Sequence, residues 1–558
     1  MPAAAQLARI ERHAVALRDG VALATDVHRP SDTPLPALLL RTPYDRANLQ
    51  ERVREVDPLL AMAAGFAVVI QDLRGRGDSG GAFHANWPDA EDGADTVAWI
   101  RRQRWSDGRV AMVGSSYDGC VQFQAARARP RGLVAIAPTA SGALREIWYP
   151  GGALRLRGVA AWMALLLAEA LPAEHDAAAR AELRELLDAT PLERLHALLE
   201  PGTAAWELGA PLRHWIAAPP SDRFWTEVTA IPREPLPALH TSGWFDSCLA
   251  PAVAAYERWS ATAGPEQPQL LTLGPWDHAL QPVSVPELSL IAEHPRSAVL
   301  ERQLAFVRSV LDGTPGEGLA PVLSFVIGRS RWHQDVCWPP ADVRSLALRL
   351  AAGGGRAGRL CHGPLGAQSR APMRYRYDPR DPAPTVGGAT GVEGRGGPLE
   401  QSWLERREDV LTFTSEPLTG ELEIAGAPRA RLLVASSASA TDFVVRLAVV
   451  LPDDRSLVLT EGVWSGRLAD LPAAPAGAGH RTCEVALAPT HAVVAAGRRL
   501  RLELTSSSYP ELYPNPNTGH DLALGAPPRV AVAEQSLLAC DSLLRLPVRG
   551  SLPRELAA

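Results

Sequence analysis

Residues 109–128 read Arg109-Val110-Ala111-Met112-Val113-Gly114-Ser115-Ser116-Tyr117-Asp118-Gly119-Cys120-Val121-Gln122-Phe123-Gln124-Ala125-Ala126-Arg127-Ala128. The run RVAMVG (109–114) is short and apolar, as strands buried on both faces of a parallel sheet are. The stretch CVQFQAARA that begins at Cys120 suits a helix packed on that sheet. Between them, Gly114 and Gly119 flank Ser116 as Gly-x-Ser-Tyr-x-Gly, one residue longer than the Gly-x-Ser-x-Gly pattern that sets a serine on a tight strand-to-helix turn. The glycines let the chain turn without side-chain clashes. The hydroxyl is left exposed, and nearby amides can hold an oxyanion. Ser115 is adjacent, but the glycine spacing singles out Ser116.

A rival pattern, Gly77-Asp78-Ser79-Gly80-Gly81, resembles the sequence around the nucleophile of trypsin-like proteases. The two patterns predict different folds. Ser79 is followed by the polar stretch AFHANWPD with no helix start, and a trypsin-like chain would be two β-barrels. The N-terminal half instead alternates β and α, so Ser79 reads as part of a Gly-rich loop beneath the site.

Outward from residue 109, the runs at 36–42, 66–72, 133–139, 236–242 and 268–274 predict further buried strands. Helices are expected over 94–103, 250–263 and 297–311. Alternation of this kind implies a parallel sheet covered on both faces. In such a sheet the site lies at the C-terminal strand ends. Two late strands run into Gly243-Trp244-Phe245-Asp246 and Gly274-Pro275-Trp276-Asp277-His278. The chain order serine, acid, histidine is that of this fold class. His278 is therefore the expected base, which takes the Ser116 proton and passes it to the leaving group. Asp246 is the expected acid that holds the imidazole. Asp222 precedes its strand and Asp277 comes too late for that role. His240 sits within a strand and reads as a core histidine, while His84 and His294 lack the context.

The alternation breaks near residue 145. Residues 158–200 predict helices only, with a start signal at Thr190-Pro191-Leu192-Glu193. The apolar stretch 158–171 is shorter than the ~20 residues needed to span a bilayer and reads as a buried helix. This insert ends in the Pro-rich stretch 217–237. From about residue 345 the helical signal disappears. Two strands joined at 452–455 are expected over 441–461, and residues 499–504 alternate as a strand with one wet face. The Gly-rich stretch 387–397 reads as a loop or crossing. The fold class is therefore α/β: an α/β-hydrolase core at 1–144 and 236–344, a helical cap at 145–235, and an antiparallel β jelly roll at 345–558.

With these motifs placed, the chain resembles the CocE/NonD hydrolases, a family of esterases, α-amino acid ester hydrolases and, more distantly, X-Pro dipeptidyl-peptidases. The resemblance rests on the residues at 41–45, 72–81, 114–119, 243–246, 274–278 and 513–519, and so spans nearly the whole chain. It implies three domains and absorbs the Gly77–Gly81 pattern as a family loop. It also implies an oxyanion hole made by the Tyr44 hydroxyl and the backbone N–H of Tyr117. Asp118 matches the acidic residue that α-amino acid ester hydrolases use toward a substrate ammonium. The aromatic residues Trp148, Tyr149, Trp162, Trp206, Trp215, Phe224 and Trp225 offer the cap a substrate-facing wall, with Trp148 and Trp162 the foremost candidates.

The chain has 558 residues and a net charge of −6, which makes no electrostatic case for nucleic acid or an anionic membrane. All 56 basic residues other than histidine are arginine, a compositional bias without chemical meaning. The six cysteines show no CxxC or zinc spacing, so no metal and no organic cofactor is expected. Reduced cysteines and an N-terminus without a basic and apolar leader point to the cytoplasm. The expected partner is a small ester, amide or short peptide, and the expected self-association is a homodimer. The leading activity is hydrolysis through an acyl-enzyme. X-Pro dipeptide release or acyl transfer on the same residues is the alternative, and a non-catalytic binding protein on this scaffold is the contrasting class.

Overall fold

The computed structural model describes residues 9–48, 55–84, 89–170, 193, 210–218, 222–293, 296–363, 371–391, 395–474, 479–519 and 529–556. The first sheet has ten strands: β1 (Arg9–Ala16), β2 (Ala22–Arg29), β3 (Leu35–Thr42), β4 (Ala67–Asp72), β5 (Ser106–Ser115), β6 (Leu133–Thr139), β7 (Ala238–Phe245), β8 (Gln269–Asp277), β9 (Val322–Val326) and β10 (Arg331–Asp335). Their order is β1-β2-β4-β3-β5-β6-β7-β8-β9-β10. The strands from β4 to β9 pair in parallel, and antiparallel hairpins close both edges.

All six strands expected from apolar runs are present. The edge hairpins were not anticipated, because β1 and β10 are mostly exposed or half-buried and carry alternating polar residues.

Side chains alternate across this sheet with the two-residue period of a strand. Leu39, Val69 and Met112 meet α2 (Asp89–Arg101), α3 (Tyr117–Arg127) and α7 (Leu249–Ser260) on one face. Leu38, Leu40, Val68, Ile70 and Val113 meet α1 (Pro58–Ala63) and α8 (Arg296–Leu311) on the other. Burial on both faces explains why the strands read as continuous apolar runs.

Between β6 and β7 the chain leaves the sheet for α4 (Leu144–Trp148), α5 (Leu156–Ala170), α6 (Ala210–Ala217) and the wide helical turn Phe224–Val228. Leu156, Val159, Trp162, Met163 and Leu166 of α5 are buried, so the apolar stretch is an internal cap helix. No helix among the described residues is long and apolar enough to cross a membrane. Of the start signal at 190–193, only Glu193 is described, and it is helical; the rest of that signal and Trp206 lie outside the described residues.

From Arg344 onward thirteen strands among the described residues form a second, largely antiparallel sheet. The expected pair at 441–461 is the hairpin Ala440–Val450 with Ser456–Arg467. The strand Arg499–Thr505 corrects the expectation of one wet face. Arg499 and Arg501 are half-buried, but Glu503 is fully buried. The strand lies inside the sheet, between Leu411–Thr414 and Ala440–Val450, and Glu503 stands opposite Arg446, with Nη1 to Oε2 at 3.9 Å, beyond a hydrogen bond. Burial pushes its carboxyl pKa up to about 8.

Candidate active site

Strand β5 ends at Ser115 and α3 begins at Tyr117, so Ser116 alone makes the turn, at φ 57° and ψ −118°. This left-handed backbone costs a non-glycine residue about 1–3 kcal/mol, and the close packing around it holds the chain there. A β-carbon at Gly114 (φ 135°) would lie 2.6 Å from the Asp118 β-carbon, and one at Gly119 would lie 2.5 Å from that of Ser141. Only glycine lets α3 approach β5 and β6 this closely. The Ser116 N–H donates to Thr139 O at 2.9 Å, which ties the turn to β6.

Ser115 faces elsewhere. Its N–H and its hydroxyl both donate to the Glu55 carboxylate, at 2.8 and 2.7 Å. Ser79 is also engaged: its hydroxyl donates to Asp72 O at 2.9 Å and accepts from Ala24 N at 2.8 Å. The Gly77–Gly81 loop thus pins β2 to the end of β4.

The structure brings Ser116, His278 and Asp246 together. His278 Nε2 lies 3.1 Å from Ser116 Oγ, and His278 Nδ1 lies 2.7 Å from Asp246 Oδ1. These residues are 162 and 32 positions apart in the chain; the strand ends of β5, β7 and β8 converge them. Asp246 Oδ1 also accepts from Cys248 N at 2.8 Å, and Oδ2 accepts from the Ser242 hydroxyl at 2.7 Å. Burial works to raise the Asp246 pKa, but the charge of His278 and these donors outweigh it and hold the carboxyl below its ordinary value. Burial likewise opposes charge on His278, yet the Asp246 carboxylate lifts its pKa well above 6.5.

Asp246, Cys248 and His278 have ligand-type atoms within 4.8 Å of one another. Donors around a zinc ion stand roughly 3.3 Å apart, whereas Nδ1 and Oδ1 touch at hydrogen-bond distance. Burial and the Asp246 charge raise the Cys248 thiol pKa, which keeps it protonated. The three residues read as an acid–base pair with a neighbouring thiol.

Around them one aromatic cluster unites three parts of the chain. It includes Tyr44 after β3, Tyr117, Trp148 and Trp162 of the cap, and Tyr513 from the C-terminal region. Trp162 Nε1 donates to Tyr44 Oη at 3.0 Å. The phenol oxygen therefore accepts from the cap. Trp162 stacks on Tyr117 (centroids 5.7 Å apart) and on Trp215 (also 5.7 Å), and Trp148 lies 5.6 Å from Trp162. The Tyr117 hydroxyl donates to buried Asp89 at 3.0 Å, which leaves its backbone at the first helical position beside Ser116. Asp118 is buried, with its β-carbon against Gly114. His240 is a core residue as expected, with burial lowering its pKa to about 4.

Residues not anticipated from the sequence complete the surroundings. Ser242 and Cys248 hold Asp246, and Glu55 holds the turn. Thr390 pairs alongside Asp246, its N–H donating to Phe245 O and its carbonyl accepting from Ser247 N, both at 3.1 Å. Thr390 of the Gly-rich stretch thus lands beside Asp246.

Fold and site together define a serine hydrolase of the α/β-hydrolase class. Cocaine esterase of Rhodococcus sp. (strain MB1 Bresler) is 33% identical over 551 residues, covering 91% of this chain and 92% of that one. The chain belongs to the CocE/NonD family of serine hydrolases, which act on ester or amide bonds. A family model described as X-Pro dipeptidyl-peptidase (S15 family) matches residues 19–280. A second, for the X-Pro dipeptidyl-peptidase C-terminal non-catalytic domain, matches 315–532. Among solved structures, an α-amino acid ester hydrolase has a TM-score of 0.77 at 24% identity, covering 98% of each chain. An aminopeptidase from a marine sediment archaeon (Thaumarchaeota archaeon) has 0.79 at 23%, covering 97% of each. At these identities the two structures speak to the fold alone.

Proposed function

We propose that the protein cleaves small carboxylic esters through an acyl-enzyme, with Ser116 as nucleophile, His278 as base and Asp246 as acid. The observation that carries this reading is the continuous relay from Ser116 Oγ through His278 to Asp246. As Ser116 Oγ bonds to the acyl carbon, His278 Nε2 takes the hydroxyl proton. The oxyanion that forms is held by the Tyr44 hydroxyl and the Tyr117 N–H. When the carbon–oxygen bond to the alcohol breaks, His278 returns the proton to the leaving group. A water molecule then repeats the sequence on the acyl-enzyme and releases the acid. No metal or cofactor enters these steps.

The acyl group lies against the aromatic wall of Trp148 and Trp162, which share one cluster with Tyr44 and Tyr117. Release of X-Pro dipeptides is the second reading, supported by the S15 model over the catalytic half. For a substrate with a free ammonium, Asp118 is the acid at hand in the helix that follows the nucleophile. The domains on this reading are the core at 1–144 and 236–344, the cap at 145–235 and a jelly roll at 345–558. A reducing compartment, the cytoplasm, suits six cysteines that form no disulfide.

The test is to assay the protein and Ser116→Ala on p-nitrophenyl butyrate and Gly-Pro-p-nitroanilide. A burst on the ester that Ser116→Ala abolishes, with circular dichroism unchanged, is expected. Preference for the anilide moves the assignment to the dipeptidyl-peptidase reading. Full activity of the alanine variant sinks the mechanism.

A further inference from the structure

A cavity of about 350 Å³ lies where β7, β8 and β9 meet α8, and none of Ser116, Asp246 and His278 lines it. Its wall includes Thr241, Thr272, Trp276, Phe325, Trp332 and Arg302. The aromatic rings touch one another: Trp332 lies 5.9 Å from Trp276 and 5.4 Å from Phe325, the latter edge to face. Trp276 is 1% exposed and Trp332 is 41% exposed, so the aromatic wall runs from the sheet to the surface. Gly274 makes room for it, because a β-carbon there would collide with the Trp276 ring.

One charged group in this wall has donors to offer. Arg302 donates Nε to the Thr272 hydroxyl at 3.0 Å and Nη2 to Ala320 O at 2.5 Å. Both of these partners are neutral. Burial draws the Arg302 pKa down with no acidic group set against it. Glu293 stands at the exposed mouth.

We propose that this cavity binds a small aromatic carboxylate, its anion on Arg302 and its ring beside Trp332 and Phe325. A guanidinium without an acidic partner calls for an anion, and its planar donors match a carboxylate. The aromatic wall favours a flat apolar body. The volume lies at the small end of ligand pockets, which suits one ring and excludes a long chain. The proposal is independent of the catalytic reading, since no triad residue takes part.

The experiment is a titration of para-fluorobenzoate into the full chain, followed by fluorine NMR, with Arg302→Met and Ala298→Trp in parallel. Ala298 lines the cavity from an exposed position on α8, so a tryptophan there plugs the site without entering the core. Saturable binding is expected, weakened at least about tenfold in each variant. Benzyl alcohol, which keeps the ring and lacks the charge, is expected to bind at least about tenfold more weakly than the acid. If Arg302→Met loses its fold by circular dichroism, Ala298→Trp carries the test. No saturable binding, undiminished binding in Ala298→Trp, or equal affinity for benzyl alcohol overturns the proposal.

Discussion

A serine hydroxyl is a weak nucleophile until a base takes its proton, so on the proposed mechanism His278 must be neutral when substrate arrives. The Asp246 carboxylate favours the imidazolium and raises the His278 pKa. Activity therefore rises with pH as His278 loses its proton and falls as pH drops through a value above 6.5. Asp246→Asn removes the charge that lifts this pKa. Its acidic limb in kcat/KM should move to lower pH, and kcat should fall about 10⁴-fold as the imidazole loses its orienting acceptor. A limb that stays in place would show that Asp246 does not set the base. On the proposed oxyanion role of Tyr44, Tyr44→Phe deletes one donor, commonly worth about 3 kcal/mol. Stopped-flow acylation should slow about 100-fold with the melting curve unchanged. Unaltered acylation would remove Tyr44 from the mechanism. At this scale the sequence distinguished Ser116 from Ser115 by glycine spacing. It held no trace of Glu55, which occupies Ser115 from 60 residues away.

The elements do their work through contact distance. Helix α3 reaches β6 only because Gly119 has no side chain facing Ser141. Gly119→Ala is expected to push the helix outward, at the 1–3 kcal/mol typical of overpacking (roughly), and to shift Ser116 from His278. Both the urea midpoint and kcat should fall. A stable variant with intact kcat would show that the helix tolerates the shift. The central strands were legible because burial on both faces forces runs such as RVAMVG. The hairpins β1–β2 and β9–β10 were not, because an edge strand answers partly to solvent and its residues look like loop. Glu503 was misread for the converse reason: its alternation is polar in letters, but its opposite number is Arg446 and not water.

At the scale of the molecule, three segments distant in sequence close one site. Arg155 of the cap forms a buried ion pair with Glu511, 356 residues away. Tyr513 N donates to Leu154 O at 2.9 Å, and the Thr390 loop lies against Asp246. Arg155→Ala would strand a buried carboxylate at a cost of about 3–5 kcal/mol. The first transition in urea should come earlier, with ester turnover lost along with it. If neither moves, the C-terminal region does not hold the cap in place. The sequence by itself determined the α/β core, the order of the strands in the chain, the helical insert, the β-rich remainder, and the motifs that carry Ser116, Asp246 and His278. These are local properties, set by periodicity, by glycines at a turn and by which residues end a strand. Only the tertiary structure decided that Cys248 borders the acid, that Trp162 donates to Tyr44 and that a glycine-rich loop braces Asp246. Each of these is a contact between groups that the chain brings together only after the sheet and cap have packed, and packing distance leaves no period or motif in the sequence.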